Sequence, residues 1–131
     1  MSRNHAVFSL GYHLIWCPKY RHAVWDDAVA IALKRIIVET CRVYSWELQE
    51  LEVRPDHGHI FVQADHTTAP IQIAQTLKSI SAVHIFHAFP KRKGRKFWGS
   101  GLWSRGTYYA TVGHISETVI RQYIESQKTR S

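Results

Sequence analysis

The hydrophobic pattern changes period several times along the chain, and each change marks an element. From His5 to Cys17 the even positions Ala6, Phe8, Leu10, Tyr12, Leu14 and Trp16 are apolar, the alternation of a long β-strand with one face on a core. His5, Ser9, Gly11 and His13 take the other face, which is therefore expected to be partly open. Pro18-Lys19-Tyr20-Arg21-His22 breaks the strand and sets two cations in a loop. Val29, Leu33, Ile36, Ile37, Val43 and Tyr44 then form a helical stripe over residues 27–44, with Asp26 or Asp27 placed to cap it. A second strand is predicted over Trp46 to Arg54, and its alternation changes phase between Leu48 and Leu51, the mark of a bulge near Gln49-Glu50. Pro55-Asp56 makes a tight corner into a third strand. In that strand His57 and His59 leave one face while Gly58, Ile60, Val62 and Ala64 leave the other.

Pro70 suits the first turn of a helix, and the run from Ile71 to Phe89 carries Ile73, Leu77 and Ile80 on one stripe before Pro90 stops it. Residues 91–101 read as a basic, glycine-containing loop. Trp103 to Val112 is rich in aromatic and β-branched residues and reads as a fourth strand. A joint at 113–115, with Gly113-His114, leads to a last helix over 116–128, for which Ser116 is a cap. The order is β-α-β-β-α-β plus a terminal helix. That order predicts an α+β protein with a ferredoxin-like, RRM-like four-stranded antiparallel sheet and two helices on one face. All of residues 1–131 are expected to form one domain.

Composition sharpens this picture. With 131 residues, 45% hydrophobic and 12% aromatic, the chain can build a core without disulfides or structural metal. Its formal net charge is +7 at pH 7, a balance that favours a polyanionic partner, nucleic acid above all. No Asp or Glu occurs between Asp65 and Glu117, whereas Lys78, Lys91, Arg92, Lys93, Arg95, Lys96 and Arg105 do. Phe97, Trp98 and Trp103 adjoin the Lys91–Lys96 run, and cations interleaved with aromatics suit single-stranded or structured nucleic acid. Cys17 and Cys41, in no C-x-x-C pattern, read as reduced and buried. No apolar leader or membrane-length stretch is evident, and cytoplasm is the expected compartment.

The candidate chemistry lies at two distant places. His57 and His59 on one strand face form a half-site for a divalent metal, although an H-x-H triplet alone is ordinarily two solvent-facing or hydrogen-bonded imidazoles. Tyr123 and Gln127, four apart on the last helix, share a face one turn apart; a lone tyrosine there is ordinarily packing, and a lone glutamine is ordinarily solvated. Together they offer a phenol nucleophile beside an amide oxygen that can complete a His/His/carbonyl site, a donor set suited to Mn²⁺ or Mg²⁺. Lys19, Arg21, Lys78, Lys91, Arg92, Lys93, Arg95 and Lys96 are the candidates for holding nucleic-acid phosphates. His84 and His87 read as structural, and Asp56 as shaping the turn.

Leu14-Ile15-Trp16-Cys17-Pro18-Lys19-Tyr20-Arg21, Pro55-Asp56-His57-Gly58-His59, Gly101-Leu102-Trp103 and Tyr123-Ile124-Glu125-Ser126-Gln127 occur in this order. With these four motifs the chain resembles, over nearly its whole length, the single-tyrosine HUH transposases of the small insertion-sequence type, related to REP-associated tyrosine transposases. The resemblance implies a metal-dependent DNA strand transferase acting on single strands. By that likeness His57 and His59 correspond to the metal ligands, Tyr123 to the nucleophile that forms a 5′-phosphotyrosine, and Gln127 to the third protein ligand. It also implies a homodimer that recognises DNA hairpins at element ends, with active sites completed in cis or in trans. One position departs from the family pattern: Gly58 stands where a bulky apolar residue is usual, so either a neighbour fills the gap or this copy is impaired. The competing expectations are a domesticated relative that nicks hairpins or repeats, a non-catalytic RRM-like nucleic-acid-binding module, and a small metal-binding protein.

Overall fold

The computed structural model describes residues 10–19, 27–65, 67–90, 102–111 and 116–128. Its elements are β1 (Leu10–Trp16), α1 (Asp27–Val43), β2 (Glu47–Arg54), β3 (His57–Ala64), α2 (Pro70–Ala88), β4 (Tyr108–Ala110) and α3 (Glu117–Lys128). The strands form one antiparallel sheet in the order β2-β3-β1-β4, which is the predicted split β-α-β arrangement. The predicted bulge is present as a register shift between Leu48 and Glu50. β2 is an edge strand, and Glu47 and Glu50 on it are exposed.

Side-chain alternation sends two sets of residues to opposite faces. Tyr12, Leu14 and Trp16 of β1, with Ile60, Val62 and Ala64 of β3, pack against Ile37 and Cys41 of α1 and Ile73, Ala74 and Leu77 of α2. Each large apolar side chain buried this way contributes about 1.5–3 kcal/mol relative to exposure. Ile15 and Cys17 point the other way and meet Ile120 and Ile124 of α3. The molecule is therefore three-layered, with α1 and α2 on one face of the sheet and α3 on the other.

This corrects the expectation of an open second face on β1. Ile15 is fully buried beneath the terminal helix, and His13, packed on His59 and Phe61 of β3, is 3% exposed. The periodicity of one strand cannot report a cover supplied by an element a hundred residues away.

The helix ends follow from local chemistry. Beyond α1, Ser45 takes a left-handed backbone (φ 61°), and Trp46 N donates to Cys41 O at 2.9 Å, closing the helix in a Schellman-type reversal. Pro70 opens α2, where Gln72 Oε1 accepts the amide of Ala69 at 2.7 Å. Ser116 caps α3 as predicted, its Oγ accepting the Val119 amide at 3.2 Å.

β4 is shorter than the predicted 103–112. Trp103 pairs with Pro18 in an isolated bridge, and Ser104 N donates to Cys17 O at 2.9 Å. The ladder then lapses until Tyr108 pairs with Ile15. Where residues 104–107 bow out, the carbonyls of Ser104, Arg105 and Gly106 turn to another partner, the side chain of Lys78.

Candidate active site

The two imidazoles of the H-x-H triplet project from β3 on the face that α3 occupies. Neither is solvent-facing: His57 is 2% and His59 9% exposed. Asp56, beyond the corner, accepts a hydrogen bond from His57 Nδ1 at 2.8 Å. A carboxylate on Nδ1 leaves Nε2 as the outward nitrogen and is the usual orienting partner of a metal-ligating histidine. Asp56 thus does more than shape a turn. Burial works to raise its pKa, but the hydrogen bond and charge of His57, with Arg121 at 3.5 Å, outweigh burial and hold the carboxyl below its ordinary value.

His59 has a partner that sequence reasoning missed. His13 Nδ1 lies 3.0 Å from His59 Nε2, and the His13 ring stacks on Phe61 with centroids 4.4 Å apart. His13 Nε2 is buried without a hydrogen-bond partner among the described residues. The pattern did place His13 on the polar face of β1. Only the β1–β3 register, with His13 opposite Phe61 and Ile15 opposite His59, reveals that it adjoins the pair. Burial first, and then the neighbouring His13, lower the His59 imidazole below the ordinary histidine value, against the pull of Glu52 and Glu50. A neutral imidazole is the form that binds metal.

These features fit a divalent cation at the pair: buried nitrogens, one with a carboxylate behind it, and a ring held neutral. The pair alone is a half-site. Among the described residues no three His, Cys, Asp or Glu side chains converge closely enough to hold an ion.

Gly58 is accommodated by Trp16, its partner across the β1–β3 ladder. A Cβ on Gly58 would lie 3.4 Å from the indole Nε1 and 3.5 Å from Cε2 of Trp16. The indole fills the space that a bulky residue would take, and the expected gap is closed.

Tyr123 and Gln127 do lie on one turn of α3, and both are turned inward: Gln127 is 6% exposed, and the Tyr123 hydroxyl oxygen is buried. Ser104 Oγ donates to Gln127 Oε1 at 3.2 Å. Gly106 lies beneath both groups, for a Cβ there would be 3.3 Å from Gln127 Oε1 and 3.4 Å from the Tyr123 hydroxyl. The Tyr123 ring also rests on Tyr108, with centroids 5.6 Å apart.

Within one chain the structure brings Tyr123 together with Gln127 and His57 with Asp56, but the two sets meet different neighbours. His59, Ile15 and Tyr108 are paired across three adjacent strands, which spaces the His59 and Tyr108 backbones by roughly 10 Å. α3 bridges that width. Arg121 on one flank reaches Asp56, and Tyr123, about 160° away around the helix axis, faces β4.

Of the cations expected to hold phosphates, Lys19 follows β1, and its backbone amide donates to Leu102 O at 2.9 Å. Arg21, Lys91, Arg92, Lys93, Arg95 and Lys96 lie outside the described residues, as does the 113–115 joint. Lys78 is placed differently from the role expected of it. Its ammonium is turned to the carbonyls of Ser104, Arg105 and Gly106 and to Thr107 Oγ1, at 2.9–3.3 Å, rather than outward toward a nucleic acid.

The comparisons with known proteins agree with this architecture. The chain belongs to the IS200-like transposase family, whose model matches residues 6–127. It is 40% identical over 121 residues to the ISDra2 transposase TnpA of Deinococcus radiodurans, an alignment covering 92% of this chain and 86% of that one. It is 26% identical over 123 residues to the transposase of insertion sequence element IS200 from Salmonella typhimurium, covering 94% and 80%. A crystal structure of a Deinococcus radiodurans transposase superposes with a TM-score of 0.85 at 38% identity, covering 97% of this chain and 98% of that one. A REP-associated tyrosine transposase, solved bound to a REP hairpin, shares the fold with a TM-score of 0.59 at 13% identity, covering 95% and 68%. This chain is accordingly a transposase, an enzyme of the DNA endonuclease and strand-transferase class. No helix among the described residues is long and apolar enough to cross a membrane.

Proposed function

We propose that the chain cleaves and rejoins single-stranded DNA through Tyr123, at a site holding Mg²⁺ or Mn²⁺ on His57, His59 and Gln127, and that it binds hairpins at the ends of its element as a homodimer. The observation that carries this reading is the docking of α3 on the sheet face from which the H-x-H pair projects, with Tyr123 and Gln127 one turn apart on it. A REP hairpin bound to a protein of the same fold supports hairpin DNA as the ligand class.

In the reaction the phenolic oxygen of Tyr123 attacks phosphorus. A Tyr–O–P bond forms, the bond from phosphorus to the 3′-oxygen breaks, and the strand is left with a 5′-phosphotyrosine on the protein and a 3′-hydroxyl on the departing end. The proton lost by the phenol balances the one taken up by the 3′-oxygen. The covalent intermediate splits one hard displacement into two and conserves the phosphodiester's energy, so a second 3′-hydroxyl rejoins without ATP. A bound divalent cation supplies polarisation of the phosphate and orientation of its oxygens. Asp56 fixes the ring of His57, and His13 that of His59. Completing the site requires the Tyr123–Gln127 pair, on its seat at residues 104–106, to share one phosphate with the imidazoles of the same chain or of a partner copy. Lys19, Arg21 and the Lys91–Lys96 run hold the backbone of the strand, a contribution that weakens with salt.

Labelled single-stranded oligonucleotides carrying the element's own ends, incubated with the protein and Mn²⁺, test this directly. An SDS-stable protein–DNA adduct is expected, and its absence with every end tried would overturn the phosphotyrosine reading.

A further inference from the structure

Lys78 belongs to α2, on the face of the sheet opposite α3, yet its ammonium is committed at the loop on which α3's functional side chains rest. Four oxygens surround Nζ: Ser104 O at 2.9 Å, Gly106 O at 3.1 Å, Thr107 Oγ1 at 3.2 Å and Arg105 O at 3.3 Å. An ammonium has three N–H donors, so the four acceptors share them, and the lysine is saturated by its own protein. The three carbonyls belong to the residues where β4 leaves the ladder, and those of Ser104 and Gly106, partly buried and without sheet partners, require another donor. Lys78 supplies it for both.

What these residues support is specific. The Ser104 hydroxyl donates to Gln127 Oε1, and the Cα of Gly106 faces both that oxygen and the Tyr123 hydroxyl. The 104–106 bow is therefore a seat beneath the two groups assigned to the chemistry, and the cation that fixes its shape comes from the far side of the sheet. We infer that Lys78 is a positioning residue for strand cleavage: by holding the carbonyls of Ser104, Arg105 and Gly106 it sets the seat that orients the Gln127 amide and the Tyr123 hydroxyl. This inference rests on the phosphotyrosine reading above and goes beyond it, since it moves a cation from the DNA-binding surface into the scaffold of the nucleophile. Gly106 is part of the same device. A methyl group there would sit 3.3 Å from Gln127 Oε1, so that amide would have to give by a few tenths of an ångström, and 3.4 Å from the Tyr123 hydroxyl, in ordinary contact.

The test uses the full chain with Lys78→Met, Lys78→Arg and Gly106→Ala, Mn²⁺ and the same oligonucleotides. Three quantities are read: DNA affinity and its salt dependence, the rate of adduct formation at saturating DNA, and the side-chain amide resonance of Gln127 in ¹⁵N-labelled protein. Displacements of about 1 Å near reacting groups cost rates on the order of 100-fold. The expected result for Lys78→Met is a 10- to 100-fold slower adduct with affinity and salt slope unchanged and the Gln127 resonance shifted, with Lys78→Arg recovering part of the rate. Gly106→Ala is expected to give the same separation of rate from affinity.

An adduct rate equal to wild type in Lys78→Met overturns the inference, and so does a weaker affinity with a shallower salt slope, which would make Lys78 a phosphate contact. If Lys78→Met fails to fold, Gly106→Ala and Ser104→Ala decide: a slowed adduct with intact affinity supports the seat, and an unchanged rate in both overturns it. A wild-type protein that forms no adduct would defeat the phosphotyrosine reading itself, and the Gln127 resonance in the variants would still report whether Lys78 shapes the seat.

Discussion

Trp16 and Gly58 face each other across the β1–β3 ladder, and the indole of the first occupies the volume that a side chain on the second would need. The buried indole supplies, from the neighbouring strand, the bulk that glycine lacks between the two histidines. The contact distances of 3.4–3.7 Å to a hypothetical Cβ are ordinary van der Waals separations. Gly58→Ala should therefore change stability by less than about 1 kcal/mol and leave adduct formation intact. Gly58→Ile adds bulk against a fully buried indole and should cost about 1–3 kcal/mol. Urea unfolding of the two variants measures the difference.

Tyr123→Phe should abolish the adduct while leaving DNA affinity within about twofold, because the ring and its contact with Tyr108 remain and only the nucleophilic oxygen is lost. Gel shift and SDS gels on one protein preparation check both halves. An adduct surviving in the variant would remove Tyr123 from the chemistry.

Asp56→Asn replaces the carboxylate behind His57 by a neutral acceptor. Loss of such an orienting partner typically weakens metal binding by about 10- to 100-fold. Calorimetric titration with Mn²⁺ should show that loss. Stability should fall little, since the other partner of Asp56, Arg121, is a half-exposed surface cation at 3.5 Å.

Lys78 carries a pH signature. Burial pushes its ammonium down from the ordinary 10.5 to about 8, while the four surrounding oxygens favour the charged form. Between about pH 8 and 10.5 the unfolded chain holds a proton that the folded chain has released, so this residue makes stability rise with pH across that window. The cysteines act oppositely. Burial, reinforced by Asp56 and offset by Lys78, raises Cys17 to about 12, and burial raises Cys41 to about 11. Both favour the folded state less as pH climbs past the ordinary thiol value. Subtracting the Lys78→Met urea midpoints from those of wild type over pH 7.5–10.5 isolates the lysine, and a difference that rises with pH is expected.

The same thiols should resist alkylation. With both side chains buried and their pKa values raised, iodoacetamide at pH 8 should leave the native protein unlabelled under conditions that label it fully in urea. Mass spectrometry reads the outcome, and rapid native labelling at Cys17 would show α3 leaving the sheet.

Sequence alone revealed the elements whose signal is local. Alternation from Tyr12 to Trp16, the phase change at Gln49-Glu50, Pro70 at the start of α2, Ser116 as a cap and the one-turn spacing of Tyr123 and Gln127 all depend on neighbours within a few residues. What escaped it depends on meetings between distant segments. His13 reads as a polar residue on an open face until β3 is laid beside β1 and α3 above it. Lys78 reads as one cation among many, because nothing in its surroundings on α2 reveals three carbonyls arriving from residues 104–106. The shortening of β4 has the same origin, a side chain competing for backbone acceptors that the strand pattern assigns to the ladder. Gly58 looked like a defect only because Trp16 is far away in the chain.

β2 has one further effect on how the molecule meets its partners. Its outer rim carries exposed Glu47 and Glu50 in a chain whose overall charge is +7. Negative side chains along an unpaired edge discourage strand-to-strand adhesion between copies and repel a polynucleotide at short range. The rim acts as a fence along this one edge, disfavouring a polynucleotide or a second strand there and leaving the other sides of the sheet for contact with DNA or with another copy.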